Sequence, residues 1–303
     1  PTPIQHAFSW ATMLWREVMS RHLGIFLLVA SILLSPVAAA EERWRTGTAY
    51  DLSTGQLLYR EYHLETLVAG KIAQDDVRYV HADGQALAAK RVDFGHRAQT
   101  PEFELVDVRT GHREGLRLNE RGEYVVTFRR SDQGAPRSQT LQNTDRALAD
   151  AGFDRFIETS WDQLVAGEAL VRQFLVPSEL TFFEFRIRQL RTDDDDTNVT
   201  FVMEANNLLL RMLTPAISVQ YDGVTRRLLR YEGPSNIRDP NGLNYQVRID
   251  FEYGPPAILG EGNTLPRKGQ RQEDAVVGPA QLGNGFTSQK VRQPEPSIRR
   301  FWM

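Results

Sequence analysis

Alternation of apolar and polar residues is the dominant pattern along this chain. At positions 244–253, one set of apolar residues alternates with polar or charged neighbours: Tyr245, Val247, Ile249, Phe251 and Tyr253. A period of two predicts a β-strand with one buried and one solvated face. Similar runs between turn residues predict about a dozen strands in all. They are 44–50, 56–65, 77–82, 86–94, 103–108, 113–119, 124–128, 169–176, 183–187, 199–203, 217–221, 227–231 and 245–253.

Segment 151–166 has a different period. Its apolar residues recur at spacings of three and four: Phe153, Ile157, Trp161 and Leu164, with Phe156 widening the stripe. This spacing predicts one amphipathic helix, which Asp150 is placed to cap and Gly167 to end. A shorter helical piece is predicted over 206–213, before Pro215.

About a dozen one-sided antiparallel strands must bury their apolar faces against something. The options are a closed barrel, a two-sheet sandwich, or one strongly curved sheet folded around the helix. A single aromatic-rich helix in mid-chain favours the last. We therefore predict a mainly β (α+β) fold, a curved sheet or half-barrel with the helix in its concave face.

A turn motif recurs along the chain. Asp-x-x-Thr-Gly occurs at 51–55 and 107–111, and a near copy with Arg226 in place of glycine occurs at 222–226. The aspartate accepts backbone N–H groups and the glycine adopts a left-handed conformation, so each copy predicts a tight strand reversal. Glu61 and Glu232 follow two of these turns at matching positions. Whichever glutamate faces the interior is the first functional candidate.

The two ends differ from the body. Arg16 and Arg21 precede the apolar run 23–34, and Ala38 to Ala40 follow it. This order predicts a cleaved secretory signal over 1–40, with a start at Met19 or an uncleaved anchor as alternatives. Residues 41–253 form one β-rich domain, and the Pro-, Gly- and Gln-rich tail 254–303 is expected to be disordered. Its basic-aromatic end, 299–303, could dock on an envelope protein or on a membrane surface, and an unstructured end without a partner is the alternative.

Composition narrows the compartment and the function. The chain has no cysteine, and its net charge is −3. An exported chain without disulfides suits the bacterial periplasm. A near balance of charge argues against nucleic-acid binding, and we expect a mature protein that does not span the membrane.

Candidate chemistry is sparse. Four histidines, His63, His81, His96 and His112, are spaced regularly, but alternating strand directions separate them, so we expect hydrogen-bonded or surface histidines and no metal site. The run 193–196 of four aspartates lacks the spacing of a calcium loop. We also predict no cofactor. Because no nucleophile motif is present, an enzyme is disfavoured, although a hydrolase with a dispersed site stays open.

Two groups of residues remain as candidates for ligand binding. Aromatic residues could line an apolar cavity or form a solid core: Phe153, Phe156, Trp161, Phe183, Phe185, Phe201, Tyr245 and Phe251. A polar cluster is predicted in a loop between two strands: Ser235, Asn236, Arg238 and Asp239. Loops on a rigid sheet often carry function, but Asp-Pro-Asn-Gly is also a hairpin signal.

In outline, the chain resembles the periplasmic lipoprotein-localisation carriers and related exported β-rich families. The resemblance rests on the predicted signal, the number of strands and the mid-chain helix. The resemblance implies a periplasmic, non-enzymatic protein that binds or carries a lipid or acyl chain in the concave face of the sheet. The alternatives are a structural or envelope-assembly module with a solid core, and the hydrolase.

Overall fold

The computed structural model describes residues 40–190, 197–213 and 215–256. The predicted leader, the aspartate run at 193–196 and most of the predicted tail lie outside these ranges. Within the described ranges no helix is long and apolar enough to cross a membrane.

The described chain forms a single sheet of fifteen strands. The strands are β1 Glu41–Asp51, β2 Leu57–Val68, β3 Lys71–His81, β4 Ala86–Asp93, β5 Glu102–Asp107, β6 Arg113–Leu118, β7 Tyr124–Arg129, β8 Arg137–Leu141, β9 Ala147–Leu148, β10 Leu170–Val176, β11 Thr181–Leu190, β12 Asn198–Ala205, β13 Ile217–Asp222, β14 Leu228–Arg238 and β15 Asn244–Tyr253. Three helices accompany them: α1 Gly152–Thr159, α2 Trp161–Val165 and α3 Leu208–Leu213.

Strand order is that of two meanders joined at their ends. β8 to β1 run in sequence along one arm, β15 to β9 along the other, and β1 pairs with β15 antiparallel. In the described strands the free edges are therefore β8 and β9, and the sheet is not closed into a barrel. Many strands that follow each other in sequence are joined by short turns, whereas α3 lies between β12 and β13, and the two-residue β9 runs parallel to β10.

Contacts between strands far apart in this order show that the sheet curves back on itself. The Oη atom of Tyr59 on β2 lies 2.6 Å from the Oγ atom of Ser235 on β14. The rings of Tyr124 on β7 and Phe182 on β11 have centroids 6.0 Å apart. Near the free edges, the guanidinium of Arg137 donates to the carbonyl oxygen of Ser178. The two arms of the sheet thus face each other across a concave interior.

Helices α1 and α2 lie in that interior. Their apolar side chains pack with inward residues of β11, β12 and β13 in one buried cluster: Phe153, Phe156, Ile157, Trp161 and Leu164 against Phe185, Ile187, Phe201, Met203, Val219 and Tyr221. The predicted curved sheet with a helix against its concave face is confirmed.

Two details of the prediction are wrong. The single helix over 151–166 is two helices separated at Ser160, where φ is −107°. The Oγ1 hydroxyl of Thr159 donates to the carbonyl oxygens of Arg155 and Phe156, and such back-bonding bends helices. Asp150 is not the N-cap: Ala151 is, and it makes no side-chain capping bond.

The recurrent turn motif is confirmed as strand punctuation. Oδ1 of Asp51 accepts the backbone N–H groups of Ser53 and Thr54, and the hairpin ends at Gly55 with φ +71°. Asp222 repeats the pattern, and Arg226 takes the left-handed conformation there, with φ 55°. Residues other than glycine pay a steric penalty of roughly 1–2 kcal/mol in that region.

Candidate functional site

A partly enclosed cavity of about 240 Å³ occupies the concave interior. One wall is polar and is built mainly by β1 to β4 and the segment before α1. It comprises Arg45, Tyr59, Glu61, His63, Glu65, Asp75, Tyr79, Lys90, Asp150, Asp154 and Arg155. The facing wall, from β10 to β15, is largely apolar. It includes Phe174, Leu175, Phe185, Met203, Ile217, Val219, Leu228, Tyr231, Ile249 and Phe251.

Strand β2 supplies the centre of the polar wall. Every second residue is buried, and four successive inward positions are Tyr59, Glu61, His63 and Glu65. The strand therefore turns ionisable side chains towards the concave interior. Gly47 on β1 makes room for one of them, since a Cβ atom there would lie 2.7 Å from Cγ and Oε1 of Glu61.

A charge network joins β1, β2 and β3 behind this row. Nδ1 of His63 lies 2.8 Å from Oδ2 of Asp75. Because a carboxylate only accepts, we assign the Nδ1 proton to this bond. Arg45 lies between the carboxylates of Asp75 and Glu65, at 3.6 Å from each, and Nε of Arg43 donates to Glu65 at 2.5 Å.

Burial and opposite charges act against each other on these groups. Burial alone would lower the pKa of His63, but the Asp75 carboxylate outweighs it, so the pKa of His63 is raised above its usual 6.5. Burial would raise the pKa of Asp75, yet His63 and Arg45 lower it from 3.8 to about 2. The pKa of Arg45 is raised, because Glu65 and Asp75 together overcome its desolvation. The network holds its charges inside the fold.

A second charged pair closes the polar wall. Nζ of Lys90 on β4 donates to Oδ1 of Asp150 at 2.8 Å, and Nδ2 of Asn236 donates to Oδ2 of the same carboxylate at 3.2 Å. Asp150 itself has φ 44°, a left-handed conformation. Burial alone would lower the pKa of Lys90, but the Asp150 carboxylate outweighs burial, so the pKa of Lys90 is raised. Asp150 thus ties β4 to β14 at the start of α1.

A third group lies on α1. The Tyr221 hydroxyl donates to Oδ1 of Asp154 at 2.7 Å, and Nη2 of Arg155 donates to Oδ2 at 2.8 Å. Burial raises the pKa of Asp154, but Arg155 and Arg45 bring it below its usual value. This helix therefore presents a paired carboxylate to the cavity.

Tyr59 and Ser235 form the hydroxyl pair of the polar wall. The backbone N–H of Ile237 donates to Ser235 Oγ at 2.9 Å, and Tyr59 lies 2.6 Å from the same atom. Burial raises the pKa of Tyr59 well above its usual value, with Glu61 adding to the increase. The phenol therefore stays protonated and does not act as a base.

The predicted aromatic residues divide into two sets. Phe153, Phe185 and Phe251 line the cavity. Phe156, Trp161 and Phe201 are buried in the core cluster behind it, and Phe183 is partly buried against that cluster. Tyr245 packs beside a second core cluster. The ligand-binding role of these residues stays a prediction.

The polar cluster was predicted to lie in a loop, but only Asp239 does. Ser235, Asn236 and Arg238 belong to β14, which continues to Arg238 through an irregularity in its pairing with β15. Ser235 and Asn236 reach the cavity. Arg238 is buried, with its guanidinium over the Phe128 ring and bonded to the Gly242 carbonyl, and Asp239 holds the turn by accepting the Leu243 N–H.

The histidines do not converge. His63 is buried on β2 and His112 is buried just before β6, whereas His81 and His96 are exposed. Nδ1 of His112 lies 2.8 Å from the Arg129 carbonyl oxygen. In the described part of the chain no group of three or more histidine, aspartate or glutamate side chains is arranged to hold a metal ion.

Sequence reasoning missed most of the polar wall, namely Arg45, Tyr59, His63, Glu65, Asp75 and Lys90. Strand 56–65 was predicted, but no face was assigned to its ionisable residues other than Glu61, which was left open. The available signal was the Glu-x-His-x-Glu spacing within a strand. Glu61 is the exception. The sequence analysis named it as a candidate if its side chain faced the interior, and it does.

Comparison with known proteins adds a likeness of fold only. No protein-family model matches this chain, and no curated protein matches it. A crystal structure of a β-barrel-like protein of the domain of unknown function DUF1849 from Brucella abortus is similar, with a TM-score of 0.42 and 11% identity. The match covers 71% of this chain and 97% of that chain. Such a likeness gives no information about ligand or activity.

Proposed function

We propose that this protein binds a small amphiphile, or one end of a larger lipid or acyl chain, in the concave cavity, as a non-enzymatic periplasmic carrier. The observation that supports this is the division of one cavity into a charged wall on β1 to β4 and an apolar wall on β10 to β15. A ligand with a polar end and an apolar chain satisfies both walls, whereas a purely apolar ligand would leave the polar wall unsolvated.

The size of the cavity limits what it can hold. An apolar cavity of roughly 150 Å³ accommodates benzene, and small-molecule sites usually span about 300–1,000 Å³. The 240 Å³ found here lies between these values. It therefore suits a head group with a short apolar segment, and a longer chain would extend beyond the cavity.

Blocking the apolar wall tests the proposal. Leu228 lines the cavity, and its neighbour Leu229 on β14 does not. Isothermal titration of the purified chain with decanol should show saturable binding that Leu228→Trp weakens at least about tenfold, a change of about 1.4 kcal/mol. The matched variant Leu229→Trp should leave decanol binding within about twofold.

Two results would contradict the proposal. One is the absence of decanol binding to the wild-type chain, together with no extractable lipid in its native mass spectrum. The other is an equal effect of the two tryptophan variants, which would place the ligand outside the cavity. Circular dichroism of each variant shows that the fold is retained.

A further inference from the structure

The cations of the polar wall are already matched by carboxylates. Arg45 lies between Glu65 and Asp75, Lys90 donates to Asp150, and Arg155 donates to Asp154. Each of the three cations thus has a carboxylate of the protein at ion-pair distance, although Nε of Arg45 makes no hydrogen bond among the described residues. Carboxylates outnumber lysine and arginine side chains in the cavity lining, so the site favours a cationic ligand over an anionic one.

Glu61 is different from the other carboxylates of β2 and β3. It is 6% exposed and lines the cavity, yet its one ion-pair contact among the described residues is a 3.6 Å approach to Nε2 of His63. This separation is too long for a hydrogen bond. His63 is thus the cationic group at ion-pair distance, and Glu61 has no lysine or arginine partner among the described residues, whereas buried carboxylates in folded proteins are normally paired and hydrogen-bonded.

His63 supplies a second observation at the same place. Its Nε2 atom is buried without a hydrogen-bond partner, and its side chain is more than nine-tenths buried against the cavity. Nδ1 is occupied by Asp75, so Nε2 is the free position of the ring. At the start of the cavity, Nε2 of His63 thus makes no hydrogen bond, and the Glu61 carboxylate lies 3.6 Å from it.

Three tyrosines line the same cavity as Glu61. Tyr59, Tyr79 and Tyr231 line the cavity, and after burial the charge of Glu61 is a main cause of the raised pKa of each. The hydroxyls of Tyr59 and Tyr231 are directed to Ser235 Oγ and to the Pro234 carbonyl. Tyr59 and Tyr79 are buried and pack edge to face, with ring centroids 6.0 Å apart, and with Tyr231 they line the cavity. Aromatic rings beside a carboxylate attract ammonium groups.

We infer that Glu61, with the rings of Tyr59, Tyr79 and Tyr231, holds the cationic ammonium head group of the bound amphiphile. This inference rests on the proposed function and specifies its ligand class. The ammonium group neutralises Glu61, and the apolar chain lies along the wall formed by β11 to β14. An anionic head group is excluded by repulsion from Glu61.

Three ligands with the same decyl chain and different head groups measure the charge preference of the site. Isothermal titration of the wild-type chain with decylammonium, decanol and decanoate at neutral pH compares a cation, a neutral hydroxyl and an anion. We expect decylammonium to bind at least about tenfold more tightly than decanol, and decanoate to bind more weakly than decanol.

Glu61→Gln removes the charge and should bring decylammonium to the affinity of decanol, without weakening decanol. Glu232→Gln is the matched control, since Glu232 stands as far from Tyr221 as Glu61 does from Tyr50 but is not part of the cavity lining. It should leave the preference unchanged.

The outcomes separate the two proposals. Binding of decanol together with equal or weaker binding of decylammonium overturns the cationic site and leaves the proposed function standing. Failure of all three ligands to bind, together with no extractable lipid in the native mass spectrum, overturns both. The wild-type series decides the question even if Glu61→Gln does not fold.

Discussion

Replacing Asp75 by asparagine tests the buried charge network quantitatively. Asp75 is 4% exposed, and its carboxylate faces both His63 and Arg45. A pKa lowered from 3.8 to about 2 corresponds to about 2 kcal/mol of unfolding free energy. Breaking a buried ion pair by removing one partner costs roughly 3–5 kcal/mol, but asparagine retains an oxygen for the His63 N–H. We therefore expect a loss of about 2–4 kcal/mol.

Urea unfolding at neutral pH, followed by circular dichroism, measures this loss. The neighbouring Asp76 is the control, because it points outward and pairs at 2.7 Å with Arg91, whose side chain is 70% exposed. Asp76→Asn should cost less than about 1 kcal/mol, as exposed pairs do. Equal losses for the two variants, or a neutral Asp75→Asn, would refute the reasoning.

The acid limb gives an independent check on the same residue. Because the pKa of Asp75 is lower in the folded than in the unfolded state, its contribution is complete above 3.8 and is lost as the pH falls through about 2. Asp75→Asn should therefore flatten the decline in stability over that interval. Parallel acid limbs for the wild type and the variant would contradict the assignment.

Three further predictions concern the surroundings of the cavity. The pKa of His63 is raised above 6.5, so its stabilising contribution is complete below that pH and is lost as the pH rises through the folded pKa; His63→Gln should flatten this limb in unfolding titrations. Phe156→Ala should cost about 3–5 kcal/mol in urea unfolding, and Leu208→Ala, at 70% exposure, less than about 0.5. Gly47→Ala places a Cβ atom against Glu61. This overpacking should reduce the free energy of unfolding by about 1–3 kcal/mol and so lower the thermal midpoint.

Sequence periodicity predicted the sheet where apolar faces are buried. β15 alternates clearly because residues such as Val247 and Ile249 face a core cluster. The exposed β8 was missed, since its first four residues are all exposed and give no apolar period. The two-residue β9 was missed because pairing with β10 defines it.

The candidate site was harder to predict because its polar residues depend on partners from other strands. His63 on β2 is stabilised in the interior by Asp75 on β3, whose carboxylate also faces Arg45 on β1. No local pattern reveals that pairing, so alternation in β2 favours the wrong face for these side chains. Phe153 and Phe185 were predicted because the helix stripe and strand alternation are local signals.

A crystal structure with decylammonium carrying a terminal bromine is the most direct test of the cavity as an amphiphile site. The nitrogen should lie within hydrogen-bonding distance of the Glu61 carboxylate. The anomalous signal of bromine should lie on the side of the cavity lined by Phe185, Met203 and Leu228. A ligand bound outside the cavity, or a bromine beside the charged residues of β2, would contradict the account.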